Sequence, residues 1–272
     1  MNMKKKCIAV GLVVCLFAGT GGVVASAAES GFSSKEDVMS KYVEGVQEGD
    51  FYKAQSAYAI ENYVDHFSLK KYADSIRAYG PDSMKEIPVI GDMTREINIE
   101  NRKSAITDTI RKHYLIFTNS PVIMSEDGYQ MHTFTEEDDI SEYLSESFTD
   151  DDRESLDSIR LLGYVDPDYM NTALSEDGFD FSDKINLILE RDANIYGADE
   201  ADSVVGYLEN NEGTYLLFME CVRYGDEWYA LKYSSPQASI TGISVKYAGL
   251  MPAADSEEAA LDISAISEHL YH

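Results

Sequence analysis

The sequence predicts an α+β fold, with amino-terminal helices packed on a curved antiparallel sheet that ends in a three-strand meander, and an inserted helical segment. Three observations predict it. Apolar residues recur at helical spacing through the first third of the chain. The last third holds three runs rich in β-branched and aromatic residues, joined by short turns. The whole chain has 272 residues and is 44% apolar, which is enough for one sizeable core and too much for a disordered chain. With 18 glycines and 6 prolines it is neither collagen-like nor dominated by linkers.

The first element is an export signal. Lys4, Lys5 and Lys6 form a positive start, an apolar run follows from Cys7 to Val24, and Ala25-Ser26-Ala27 supplies small residues for cleavage between Ala27 and Ala28. The run has 18 residues, the short edge of a spanning helix, and Gly19, Gly21 and Gly22 weaken its end. Residues 1–27 therefore read as a signal peptide, 28–34 as a polar lead-in, 35–252 as the folded domain and 253–272 as an acidic tail. Removing Lys4, Lys5 and Lys6 takes the formal net charge from −27 to −30. Cys7 and Cys15 leave as well, so Cys221 stays alone and no intrachain disulfide can form. The expected product is secreted and extracytoplasmic, with no membrane attachment after cleavage.

The domain opens with Ser34 and Asp37, a pairing that resembles a capping box. Val38, Met39, Tyr42, Val43 and Val46 follow at helical spacing. Gly49 stops that helix and Asp50 caps the next. Phe51 to Ile60 and Tyr63 to Tyr79 read as further helices, closed by Gly80-Pro81. Ile99, Ile106, Ile110, Tyr114 and Phe117 share one face of another helix, which ends at Asn119-Ser120-Pro121.

Val122 to Met124 and Tyr129 to Phe134 flank Glu126-Asp127-Gly128 as a short hairpin. Residues 135–162 read as a helical insertion. One helix starts near Thr135 and Asp138, and a second runs from Asp150-Asp151-Asp152 to Leu162. Acidic residues at its start suit the positive end of the helix dipole. Tyr164-Val165-Asp166 is a strand stopped by Pro167, and Phe181 to Tyr196 is a helix ending at Gly197.

Ser203 to Glu209, Thr214 to Tyr224 and Glu227 to Ser234 are the meander, turned at Asn210-Asn211-Glu212-Gly213 and Gly225-Asp226. Connections this short force antiparallel pairing. Tyr215 to Met219 is apolar at every position, so that strand is covered on both faces. The rest of the sheet is read as burying one face on the helices, with the other curling into a pocket. Ala259, Ile263, Ile266 and Leu270 fall on one stripe of a terminal amphipathic helix.

Tyr42-Val43-Glu44-Gly45-Val46-Gln47-Glu48-Gly49-Asp50-Phe51 resembles the first helix of nuclear transport factor 2-like (cystatin-like cone) domains, with the Gly-Asp break common in them. Tyr215-Leu216-Leu217-Phe218 and Tyr224-Gly225-Asp226-Glu227-Trp228-Tyr229 resemble their last hairpin, where a Trp after a tight turn packs in the cone. The chain is also similar to uncharacterised secreted proteins of gut-dwelling Gram-positive bacteria. Those carry a Tyr-Gly-Ala-Asp stretch before the terminal meander, matched by Tyr196-Gly197-Ala198-Asp199. The resemblance spans Lys35 to about Ser235 and implies a cone-like domain. It brings no catalytic residue, because the superfamily hosts enzymes, binding modules and assembly domains alike.

The residues themselves give little chemistry. Acidic residues number 49 against 22 basic ones, so the chain repels a polyphosphate and nucleic acid is not a partner. His66, His113, His132, His269 and His272 include no pair at the i, i+4 spacing of a zinc protease helix. Asp65-His66 are consecutive helical residues and point about 100° apart. His113 lies beside the Ile110–Tyr114 stripe and reads as a hydrogen-bonded boundary histidine. Ser68 and Lys71 match Ser-x-x-Lys without a Lys-Thr-Gly partner, and no Gly-x-Ser-x-Gly elbow occurs. Cys221 reads as an inert core thiol, with Arg223 as its basic neighbour.

Glu136-Glu137-Asp138-Asp139 and Asp150-Asp151-Asp152 lack the alternation of an EF-hand loop. Asp177, Asp180 and Asp183 are spaced by three, so weak calcium binding is the most the carboxylates suggest. No cofactor is expected. Tyrosine is in excess at 19, and six fall in the first helices, where they serve the rim of a core. Tyr207, Met219 and Trp228 are the candidates for lining a pocket in the sheet.

The function these features suggest is a secreted, noncatalytic binding module, whose ligand is a small molecule or an extracytoplasmic protein. The alternatives are an enzyme with an acid–base pair inside the cone and an assembly protein docking through its C-terminal helix. Catalytic, cofactor-binding and metal-binding residues are not assigned.

Overall fold

A computed structural model of the chain describes residues 31–80, 87–118, 148–174, 179–232, 235–240, 247–256 and 261–272. The signal segment, His132, the hairpin at 122–134 and the stretch 135–147 of the inserted segment lie outside the described residues.

Helix α1 (Lys35–Gln47) begins where Ser34 accepts a hydrogen bond from the Asp37 amide. Its buried stripe is Val38, Met39, Tyr42, Val43 and Val46. Gly49 adopts φ 66°, and Asp50 accepts from the Lys53 amide to start α2 (Phe51–Gln55). The chain from Phe51 to Tyr79 is more broken than the apolar spacing suggests. It forms α2, then α3 (Glu61–Asp65) and α4 (Leu69–Tyr79). Helix α5 (Asp92–Phe117) is the longest of the described helices and buries Ile99, Ile106, Ile110, Tyr114 and Phe117.

Helix α6 (Asp150–Asp157) is capped by a reciprocal Thr149–Asp152 box. It ends before Leu162, where the sequence reading continued the helix. Arg160–Val165 is instead strand β1, because its backbone finds a ladder partner in β2. Helices α7 (Pro167–Ala173) and α8 (Ser182–Tyr196) follow. Asp166 caps α7, and α8 ends on Gly197 in the left-handed conformation at φ 69°.

The meander forms as β2 (Glu200–Glu209), β3 (Thr214–Tyr224) and β4 (Glu227–Lys232), all antiparallel. The short helix α9 (Pro236–Ile240) comes next. Strand β5 (Leu250–Pro252) lies antiparallel beside the part of β3 that β4 does not reach, pairing Leu217 with Leu250. The tail then departs from the predicted amphipathic helix, of which Ala259 lies outside the described residues. Its described residues form a 3-10 turn at Ala253–Asp255, α10 (Ile263–Ile266), a second 3-10 turn at Ser267–His269, and strand β6 (Leu270–Tyr271), which pairs with β1. Ile266 is fully buried, and Ile263 and Leu270 pack on the same core, so this stripe serves the molecule's own interior.

The sheet runs β4-β3-β2-β1-β6, with β5 beside β3. Register shifts interrupt β1–β2 near Leu161 and β3–β4 near Cys221, and such bulges bend and twist strands. The outer edge of β4 is covered. Phe32 and Trp228 exchange backbone hydrogen bonds, and Ala230 bonds to Ala57 and Ala59. Covering an exposed edge in this way removes a template for aggregation.

Both faces of the sheet carry helices, so the fold is α+β with a fuller second face than the sequence suggests. On one face, the Met39 sulfur sits 2.4 Å from where a Cβ on Gly206 would lie, Lys35 pairs with Asp202, and Phe117 meets Tyr215 edge to face. On the other, Tyr224 donates to the Tyr196 carbonyl at the end of α8, and Gln237 of α9 donates to Ser203. The curled pocket expected on that second face is occupied by α8 and α9. Strand β3 is buried on both sides from Tyr215 to Val222, the apolar run Tyr215–Met219 being followed by the buried Glu220.

Candidate functional site

The residues with chemical potential divide into a sealed core group, surface stitches and one exposed apolar strip. The core group is built by α1 and α5. His113 is fully buried. Its Nδ1 lies 2.6 Å from the Tyr42 hydroxyl, and its Nε2 lies 2.8 Å from the Ala248 carbonyl. A carbonyl only accepts, so Nε2 carries the proton and donates, while Nδ1 accepts from Tyr42. Burial lowers the His113 pKa to about 4, with the nearby Lys112 charge acting the same way and the Ala248 bond opposing it. Burial also raises the Tyr42 hydroxyl well above its ordinary value, helped by Tyr58 and Tyr114. Ala248 itself sits at φ 50°, a left-handed conformation that a non-glycine residue adopts only under constraint. The histidine is therefore a neutral clamp on a constrained turn. The sequence placed it at a boundary, whereas the 247–250 segment covers it and makes it core.

Other predicted pairs separate. The Asp65 carboxylate pairs with Arg95 at 2.8 Å, while His66 stacks on Tyr224 with ring centroids 4.5 Å apart. Ser68 and Lys71 are structural. The Ser68 hydroxyl accepts from the Lys71 amide to cap α4, and the Lys71 ammonium donates to the carbonyls of Gly197 and Ala198. That cation sits where the C-terminal end of α8 is negative. Tyr196-Gly197-Ala198-Asp199 likewise joins α8 to the meander: Tyr224 donates to the Tyr196 carbonyl at 3.0 Å, and the Gly225 amide donates to Asp199 at 2.8 Å.

Cys221 is buried, and desolvation pushes its thiol well above the ordinary range. Arg223 is committed elsewhere, to Glu200 and the Gly225 carbonyl. Among the described residues, no three His, Cys, Asp or Glu side chains are grouped to hold a metal ion. Residues 136–139 and Asp177 lie outside the described residues.

The three pocket candidates do not meet. Tyr207 pairs with Leu216, and Met219 pairs with Val204. Side chains alternate along a strand, so Tyr207 and Met219 point to opposite faces. Met219 is buried beneath α1, and Trp228 packs at the edge of the sheet with the Arg223 guanidinium 5.9 Å from its ring. A polar depression of about 370 Å³ opens elsewhere, between Gln47, Asp157, Ser158, Arg160, Asn210 and Asn211. Its groups already bond to one another or to the backbone: Gln47 donates to the Asp157 carbonyl, Asn210 to Phe117, and Arg160 pairs with Glu209.

Sequence reasoning missed an apolar strip at the start of α5. Ile87 and Ile90, which lead into the helix, and Met93 and Ile97 on its first turns are exposed, Ile90 at 70% and Met93 at 71%. The signal was present. Met93 and Ile97 are spaced by four, whereas Ile99 belongs to the opposite, buried side. No helix among the described residues is long and apolar enough to cross a membrane.

No protein-family model matches the chain, and no curated protein matches it. Among solved structures it is similar to a cystatin-like protein from Ruminococcus gnavus ATCC 29149, at 12% identity and a TM-score of 0.43. The match covers 73% of this chain and 40% of that one, so the chain spans less than half the length of its structural neighbour.

Proposed function

We propose that the chain is a secreted, noncatalytic binding or interaction module on a cone-like domain of the nuclear transport factor 2-like kind. One observation carries the noncatalytic part. His113, the core group best placed for acid–base work, has both ring nitrogens engaged and no exposed surface. A general acid or base must reach a substrate proton, directly or through one water. His113 touches only Tyr42, Ala248 and packed neighbours. The helix-then-meander order, with Trp228 after the Gly225 turn, supports the cone-like reading. Lys4 to Lys6, the apolar run and Ala25-Ser26-Ala27 support secretion.

The test is a native mass measurement on protein recovered from the medium of the producing cells. The expected polypeptide begins at Ala28 and carries a bound molecule or protein in stoichiometric amount. A chain retained in the cells at full length overturns the secretion part. Turnover of a substrate that His113→Gln abolishes while the fold persists overturns the noncatalytic part.

A further inference from the structure

Resting on that reading, we infer that the strip formed by Ile90, just before α5, with Met93 and Ile97 on its first turns is a docking surface for a cationic amphipathic segment of another protein. The strip is preformed. The Thr94 hydroxyl accepts from the amides of Ile90 and Gly91 at 3.0 and 3.1 Å. Asn98, which is 1% exposed, donates to the carbonyls of Ile87 and Thr94, both at 2.8 Å. The apolar side chains thus stand on backbone pinned to the helix, and binding would order little new chain.

Charge selects the occupant. Asp92, Glu96 and Glu100 are exposed and recur at i, i+4 and i+8, a row beside the apolar one. Like charges at this spacing repel one another along a helix. Arg95 pairs with Asp65 and also feels the charges of Glu61 and Asp92, and Lys103 lies 4.0 Å from Glu100, so these two cations offset only part of the row and its surroundings. An apolar row flanked by carboxylates complements a segment with one apolar and one basic side. It disfavours a second copy, since pairing two such faces sets acid against acid on a chain of net charge −27. It disfavours an anionic lipid surface for the same reason.

The test uses the mature chain and two model peptides, an amphipathic Leu/Lys helix and its Leu/Glu counterpart, followed by amide chemical shifts. The Leu/Lys peptide is expected to bind and to shift resonances of α5 residues Asp92 to Glu100, while the Leu/Glu peptide does not. Ile90→Asn with Met93→Gln, both at exposed positions, should weaken binding at least about tenfold. Asp92→Asn with Glu96→Gln should weaken it roughly two- to fivefold and flatten its salt dependence. Equal affinity for the Ile90→Asn/Met93→Gln variant means attraction by bulk charge only, and overturns the proposal. Concentration-dependent dimerisation abolished by that same variant also overturns it, by assigning the strip to a second copy. A natural partner retained from the medium by both wild type and variant overturns this surface while leaving the binding reading intact.

Discussion

The Tyr42 hydroxyl donates to His113 across 2.6 Å, so the imidazole nitrogen facing it carries no proton. Protonating His113 would break that bond and place a charge in a fully buried site. The folded pKa of about 4 lies below the ordinary 6.5, so the unfolded chain binds this proton more readily. The stabilising contribution is complete above about 6.5 and is lost as pH falls through 4. Its size is about 3 kcal/mol. Wild type should therefore lose stability against His113→Gln as pH drops from 7 to 4, the difference in unfolding free energy shrinking by about that amount. Urea titrations of both proteins across this range measure it. A gap that stays constant would show that His113 does not titrate into the unfolded state as argued.

Gly45 lets α1 and α2 touch. A Cβ there would lie 2.4 Å from the Ala54 amide nitrogen and 2.7 Å from its Cα. These are backbone atoms, so no side chain can swing away. Gly45→Ala raises helix propensity by about 1 kcal/mol but forces the helices apart. We expect a net loss of about 1–3 kcal/mol, read as a lower urea midpoint. Gly206→Ala is the informative contrast, because its closest neighbour is the Met39 sulfur at the end of a flexible side chain. It should be tolerated better.

Local chemistry made much of this architecture legible. Ser34 and Asp50 state their helix starts in their own side chains, and Gly197 states a stop. The turns at Asn210–Gly213 and Gly225–Asp226 fix the meander register without help from the rest of the chain. Non-local pairing was less visible. Arg160–Val165 became a strand because β2 offers its backbone a ladder partner, and Leu270–Tyr271 joined it at Tyr164 and Val165 across about a hundred residues of sequence. A helical stripe through Ile263, Ile266 and Leu270 fits the apolar spacing equally well until that partner is known. Among site residues, Tyr207 and Met219 were grouped by composition, and the pleat then sent them to opposite faces. The strip at Ile90, Met93 and Ile97 was hidden by its buried neighbour Ile99, which alone was enough to explain a helix.

Arg102 joins three elements that propensity cannot link. Its guanidinium donates to the Ala59 carbonyl at 2.8 Å and the Leu231 carbonyl at 2.9 Å, and it lies 5.1 Å from the Tyr63 ring centre and 5.6 Å from that of Tyr196. A lysine has the charge but not the planar fork, so it cannot serve both carbonyls while stacking between the rings. Arg102→Lys is expected to cost about 2–4 kcal/mol, with most of the loss persisting at high salt because the site is buried. An exposed pair such as Lys70–Asp74 offers the control, since Lys70→Met should change stability little and only at low salt.

The charge of the whole chain makes the last prediction. The formal net charge is −27, and the described ion pairs, mostly at the surface, neutralise only part of it locally. Expanding the chain relieves the repulsion among the remaining carboxylates, so repulsion favours the unfolded state. Added salt shortens the screening length from about 30 Å at 0.01 M to about 8 Å at 0.15 M, less than the spacing of charges across the fold. Surface ion pairs weaken over the same range, but each contributes at most about 1 kcal/mol and many contribute nothing. Net repulsion should win, and Tm should rise by roughly 2–4 °C between these salt concentrations, the equivalent of about 1 kcal/mol for a domain of this size. Calorimetric scans in sodium chloride and in a matched chloride of a bulky organic cation separate screening from specific ion binding. A Tm that stays flat or falls in both salts would mean that the surface pairs outweigh the excess carboxylates.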